Sequence, residues 1–185
     1  MSTRAVFLDR DGVINRKAPE GQYITRWEEM ELLPGVVHAI QQFGKAGFKI
    51  VVVTNQRCVA KGLLTPAELE ELHRRLTELL ASHGAVIDAI YYCPHEKSDG
   101  CSCRKPAPGM LLVAAREHGI SLKESWMVGD SPSDLQAGKS AGCKTALVTT
   151  HQQSEVGTGI SISSEADLVG ESLLEVTQQI LCLSK

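Results

Sequence analysis

Asp9-Arg10-Asp11-Gly12 puts two carboxylates two residues apart, directly after the apolar run Val6 to Leu8. Leaving a strand end together, they can divide the work of phosphoryl transfer. One carboxylate can attack phosphorus and form an aspartyl-phosphate. The other can protonate the leaving alkoxide and later activate water. Both are anionic, as is a phosphate, so a cation must offset the repulsion. Magnesium, which takes oxygen ligands, fits that need. Gly12 lets the backbone turn tightly beside a ligand. Taken alone, an Asp-x-Asp pair after a strand reads equally well as an acidic turn.

Three further segments bear on that choice. Thr54-Asn55 offers a hydroxyl and backbone N–H groups suited to phosphoryl oxygens; alone it is a turn. Arg104-Lys105-Pro106 offers a point charge suited to a transferring phosphoryl group; alone it is a solvated basic pair. In Gly129-Asp130-Ser131-Pro132-Ser133-Asp134, Asp130 can ligate magnesium and Asp134 can orient that site from behind. Alone, Asp130 can simply cap the helix that follows.

A second constellation lies nearby. Cys93-Pro94-His95 and Cys101-Ser102-Cys103 bring three thiols and an imidazole within eleven residues. Three Cys and one His make a closed tetrahedral zinc set, which leaves no open position and implies a structural role. The alternative is a cysteine-containing loop without metal.

The elements that must position these groups alternate between two periodicities. Strands are predicted over 4–8, 48–53, 86–92, 125–129 and 144–148, with a short edge strand over 166–169. Helices are predicted from Pro34 to Gly47, from Thr65-Pro66 with Glu68 completing a capping box, from Pro108 to His118, over 131–141, and from about Glu171. Leu69, Leu72, Leu76 and Leu79 fall at helical spacing and read as core. The stretch 93–104 is a polar, cysteine-rich loop, and 151–164 is a polar exposed loop. Alternating strands and helices imply a parallel sheet covered on both faces, with ligands at the carboxyl ends of strands. Asp9, Thr54, Cys93 and Asp130 all lie at or just after such ends.

Those four segments, in this order, resemble the four motifs of the haloacid dehalogenase-like phosphatase superfamily from Val6 to about Val148. The resemblance implies a single Rossmann-like α/β domain over residues 1–185, a parallel sheet flanked by helices, with no large cap domain and a zinc-binding loop at 93–104. It implies that Asp9 is the nucleophile and a magnesium ligand. Asp11 is then the acid/base and a magnesium ligand through its backbone carbonyl. Asp130 completes the Mg2+ site, and Thr54 and Lys105 stabilise the phosphoryl group.

Together with Tyr91-Tyr92-Cys93-Pro94-His95 and Pro108-Gly109-Met110, the motifs resemble the D-glycero-D-manno-heptose-1,7-bisphosphate 7-phosphatase family. That family removes the 7-phosphate during ADP-heptose synthesis for lipopolysaccharide or surface glycans. Histidinol-phosphate phosphatase shares the scaffold and a similar zinc loop and stands as the alternative. A retired, non-catalytic zinc-stabilised interaction module is a third reading. The chain departs from the family pattern at Arg57, where a small residue is usual, and at Ser131, where lysine is frequent. It is also longer between Asn15 and Tyr23. Asn55, Gln56, Arg57, Arg104 and Ser131 are the expected substrate contacts. Arg57 and Arg104 are expected to hold the spectator phosphate or sugar, unless Arg57 points to solvent. With no cap, the mouth must be shaped by 16–33, 57–64 and the zinc loop.

The whole chain is consistent with this. Its 185 residues are 43% hydrophobic, enough for one core, and the net charge of -3 argues against a nucleic-acid partner. A small phosphorylated sugar needs only a local cluster of cations. No apolar run spans a membrane and no signal-peptide pattern is present, so a cytoplasmic, monomeric enzyme is expected. Gly138-Lys139-Ser140 resembles a P-loop end, but Ser133 stands where the earlier glycine is needed. His38, His73, His83 and His118 read as surface or satisfied core residues, His151 has no evident partner, and Cys58, Cys143 and Cys182 read as incidental or packing thiols.

Overall fold

A computed structural model describes residues 3–149 and 165–183. In chain order the elements are β1 (Ala5–Leu8), α1 (Val36–Lys45), β2 (Lys49–Asn55), α2 (Pro66–Ser82), β3 (Ala89–Cys93), α3 (Gly109–His118), β4 (Trp126–Gly129), α4 (Pro132–Ala141), β5 (Lys144–Val148), β6 (Leu168–Gly170) and α5 (Leu173–Leu183). The six strands form one parallel sheet in the order β3-β2-β1-β4-β5-β6. From β1 the chain adds β2 and β3 on one side and then β4, β5 and β6 on the other, so the strand order switches between β1 and β4. This leaves a crevice at their carboxyl ends, where α/β sheets bind ligands.

Both faces of the sheet are covered, so the central strands β1 and β4 carry no polar side chain and β2 is apolar from Ile50 to Val53. In β1, Val6 and Leu8 join Ile50, Val52 and Val128 under α1 and α5. Ala5 and Phe7 alternate to the other face and pack with Val51, Val53 and Met127 under α3 and α4. Gly138 belongs to this packing: a Cβ there would lie 2.6 Å from Cβ of Met127. That close approach of α4 to the sheet is what the glycine serves, and the P-loop likeness is discarded.

Two expected boundaries shift, each for a local reason. β3 begins at Ala89 rather than Val86, because the Asp88 carboxylate takes the Ile50 N–H at 2.8 Å and pins the chain just before pairing starts. The strand then runs to Cys93, so the cysteine loop starts on the sheet itself. In α2 the Thr65/Glu68 cap forms as expected. Leu80, not Leu79, is the buried end of its apolar face, because it lies four residues on from Leu76, as Leu76 does from Leu72. The loop 151–164, with His151, lies outside the described residues.

Candidate active site

The crevice is built from four strand ends. Asp9 follows β1, its N–H bonded to the Val128 carbonyl of β4 at 3.0 Å, which ties the two central strands together at the site. Asp130 follows β4 and is buried. Gly12 turns beneath it with φ +95; a Cβ there would lie 2.2 Å from Asp130 Oδ2, so only glycine lets these segments meet. Gly129 plays the same part toward Asp134, whose Cβ would be 2.1 Å from an added methyl.

Lys105 arrives from the cysteine loop and is buried. Its ammonium lies 2.8 Å from Asp9 Oδ1 and 2.6 Å from Asp134 Oδ1, and donates to the Val53 carbonyl at 2.7 Å. Burial alone would lower its pKa, but the Asp134 and Asp9 charges hold it above the usual lysine range. Asp9 is pushed the other way: burial raises it, Lys105 offsets part of that, and the Asp134 and Asp130 charges raise it further, to about 7. Asp130 is also raised, by burial first, against the opposing charge of Lys17.

Asp11 stands on the opposite side. Its carboxylate takes a fork from Arg10 at 2.9 Å, and single bonds from Asn15 Nδ2 and Gln56 Nε2 at 2.9 Å each. Burial works to raise it, but the Arg10 charge and these bonds prevail and hold its carboxyl below the usual range. Gln56 Nε2 also donates to Thr54 Oγ1 at 2.8 Å, so the Thr54 hydroxyl proton is left to point elsewhere.

All five expected substrate contacts already have protein partners, Gln56 through its bonds to Asp11 and Thr54. Asn55 pairs reciprocally with the Lys105 peptide at 3.1 Å in each direction, and so helps to place the lysine. Arg57 Nε is tied to Glu96, while the side chain stays 38% exposed at the mouth. Arg104 Nη1 donates to the His95 carbonyl at 3.0 Å. Ser131 Oγ donates to Asp134 Oδ2 at 2.6 Å, and Ser131, not Asp130, is the N-cap of α4. These residues still line a cavity of about 540 Å³ with Asp9, Asp11, Thr54 and Lys105.

The mouth is narrower in origin than expected. Residues 17–24 form one wall, and from 57–64 only Arg57 takes part, because Cys58 and Leu64 are buried against α2. Lys17 was not anticipated. Its ammonium lies 2.8 Å from Asp130 Oδ2, across 113 residues of chain, and nothing local in Arg16-Lys17 signals that contact. Arg10 was also passed over, although its place between two aspartates was a signal.

The donor sets fit two metals. Oxygens of Asp9, Asp130 and Asp134 lie within 4.8 Å of one another. Hard carboxylates that raise one another's pKa are what a magnesium ion would relieve. In the loop, Cys103 Sγ is 3.3 Å from Cys93 Sγ and 3.4 Å from Cys101 Sγ, and His95 Nδ1 is 3.3 Å from Cys103 Sγ. Ligand atoms on a tetrahedral zinc ion are roughly 3.5–3.8 Å apart, whereas a disulfide needs about 2.05 Å. Burial works to raise Cys101, but the hydrogen bonds from Cys103, Cys93 and the Arg104 and Cys103 backbone together outweigh it and bring Cys101 down to about 7, while burial and the other thiols push Cys103 up to about 12.

The HAD-hydrolase-like family profile matches residues 102–176. The D-glycero-beta-D-manno-heptose-1,7-bisphosphate 7-phosphatase of Pseudomonas aeruginosa is 43% identical over 150 residues, covering 81% of this chain and 83% of that one. The chain belongs to this haloacid dehalogenase-like phosphatase family. The D-glycero-alpha-D-manno-heptose-1,7-bisphosphate 7-phosphatase of Mycobacterium bovis is 40% identical over 171 residues, covering 92% of this chain and 87% of that one. Among solved structures, the D,D-heptose 1,7-bisphosphate phosphatase of B. bronchiseptica superposes with a TM-score of 0.84 at 36% identity, covering 98% of this chain and 99% of that one. That crystal structure is a complex with magnesium and phosphate. Members of the family are phosphatases, and this chain carries the family's α/β fold without a large cap domain.

Proposed function

We propose that this chain hydrolyses the 7-phosphate of D-glycero-D-manno-heptose 1,7-bisphosphate, supplying ADP-heptose for lipopolysaccharide or surface glycans. The observation that carries the reading is the buried Asp9–Lys105–Asp134 ion cluster beside Asp130 at the β1/β4 crevice. The names of the relatives favour heptose bisphosphate over histidinol phosphate. The intact acidic set with its lysine favours an enzyme over a retired module.

Asp9 is the nucleophile. Its carboxylate oxygen forms a bond to phosphorus as the bond to the sugar oxygen breaks, and Asp11 gives that oxygen a proton. In the second half Asp11 takes a proton from water, which attacks the aspartyl-phosphate and releases phosphate. Arg10, Asn15 and Gln56 favour the ionised Asp11 needed there. The incoming phosphate charge raises it toward the protonated form needed first. Lys105 and the Thr54 hydroxyl hold the phosphoryl oxygens. Magnesium, held by Asp9, Asp130 and the Asp11 carbonyl, would supply the positive charge that lets an anionic phosphate meet the carboxylates. Asp134, with both oxygens engaged by Lys105 and Ser131, orients rather than ligates. A zinc ion on Cys93, His95, Cys101 and Cys103 would brace the segment that delivers Lys105 two residues later.

The test is phosphate release, with magnesium, from heptose 1,7-bisphosphate and from histidinol phosphate side by side. The reading expects a kcat/KM at least about 100-fold higher for the heptose, abolished by chelation and by Asp9→Ala. Equal rates on both substrates, or a fully active Asp9→Ala protein, would overturn it.

A further inference from the structure

The guanidinium that holds Asp11 is itself held. Arg10 is fully buried. Its Nε and Nη2 fork onto Asp11, and its remaining nitrogen, Nη1, lies 3.1 Å from Nε2 of His73. His73 comes from the inner face of α2, is 6% exposed, and lies 5.8 Å between ring centroids from Tyr92. The two residues are 63 positions apart in sequence.

We propose that His73 is a positioning residue for the acid/base group: as a neutral acceptor it anchors the outer nitrogen of Arg10, and so fixes the fork that aims Asp11. The inference rests on the reading of Asp11 given above. Arginine has only donors, so this contact is a hydrogen bond only when Nε2 carries a lone pair and the ring proton sits on Nδ1. An imidazolium at that distance would instead repel the guanidinium. Burial and the Arg10 charge both favour the neutral ring, bringing His73 to about 3 against the opposing pull of Asp11. His73 therefore gives constant support and is not a switch.

The need for a third anchor follows from geometry. Bonds from Nε and Nη2 set where a planar guanidinium sits along a carboxylate, but leave it free to rock about the line joining the two oxygens. A partner at Nη1, at the opposite edge of the plane from the fork, removes that freedom. The Arg10 backbone is already fixed, its carbonyl accepting from Ile14 and Asn15 at 2.8 and 3.1 Å, so the side chain is the part left to be placed. Asn15 and Gln56 also bond Asp11, but neither touches the guanidinium in the bonds observed.

The experiment compares His73→Leu, which removes the acceptor, with His73→Gln, whose amide oxygen can reach the place of Nε2. Each is made in the native chain and in an Arg10→Met background. His73→Leu is expected to lower kcat about tenfold, short of the ~100-fold of a full ångström misplacement. KM should stay within about twofold, since Thr54 and Lys105 are untouched, and His73→Gln should recover most of the loss. In the Arg10→Met background, His73→Leu should cost nothing further, because its effect runs through Arg10. An unchanged kcat, a change carried by KM, or an equal loss in both backgrounds overturns the proposal. Nitrogen NMR of the native protein at pH 7 tests it without any variant: a protonated Nε2 on His73 would also overturn it. Asp11→Asn separates the two readings. If it is inactive while His73→Leu is normal, only the role of His73 fails; if it is active, the acid/base reading fails as well.

Discussion

Replacing Lys105 by methionine keeps most of the side-chain volume and deletes one buried charge. That charge neutralises two carboxylates, Asp9 at 2.8 Å and Asp134 at 2.6 Å. Removing one partner from a buried ion pair costs about 3–5 kcal/mol, because the remaining charge is left uncompensated. The cost should depend on pH in a definite direction. Asp9 already titrates near 7, and losing its nearest cation raises it further. At pH 5 Asp9 is protonated with or without the lysine, so only the Asp134 pair is broken. At pH 8 the native Asp9 is charged and paired with Lys105, so the variant must either leave that charge unpaired or take up a proton there, a second cost added to the broken Asp134 pair. Urea unfolding without metal should therefore give the full ~3–5 kcal/mol loss at pH 8 and about half of it at pH 5. Activity should fall by about 10²–10³ in kcat, the cost of losing one preorganised contact to a developing anion. A kcat within about threefold of the native value, or a stability loss equal at both pH values, would refute the reasoning.

For the native protein without metal, the raised pKa of Asp9 means that the folded state holds a proton more tightly than the unfolded chain. Its contribution to stability is full below about pH 4 and is lost as pH rises through about 7. Thermal melts should show the midpoint falling across that window and the fall flattening when magnesium is added. Gly12→Ala places a methyl group 2.2 Å from Asp130 Oδ2 in a backbone conformation that alanine resists. A displacement near 1 Å should cost about 100-fold in kcat with a higher magnesium requirement in a titration, while circular dichroism stays native. Cys103→Ser should leave purified protein with less than stoichiometric zinc by elemental analysis. It should also lower kcat about 10²-fold by loosening the approach to Lys105; full zinc and full activity would show that the loop needs no such bracing.

Much of the site was legible because its chemistry sits at strand ends, and strand ends are visible in a sequence. Asp9, Thr54 and Asp130 each follow a β-branched or apolar run, and a parallel sheet brings the ends of its strands to one edge. The four zinc-type residues were legible for the same reason: they are close in sequence, so their spacing already limits their geometry. Side-chain partnerships were not legible. Nothing local signals that Asn55 pairs with the Lys105 peptide, 50 residues away. The tie of Arg57 to Glu96, 39 residues on, was likewise invisible in the sequence. No helix among the described residues is long and apolar enough to cross a membrane, as the short apolar runs had already indicated.

The sequence by itself therefore determined the fold class, the order of the elements and which residues are candidates for the chemistry. Those depend on local periodicity and on groups near one another in the chain. Only the tertiary structure decided how the charges are paired. Lys17 on Asp130, Lys105 between Asp9 and Asp134, and His73 behind Arg10 all join residues that nothing local connects. The physical reason is that a buried charge must find a partner, and the partner it finds is whichever group the packing of distant elements brings within about 3 Å.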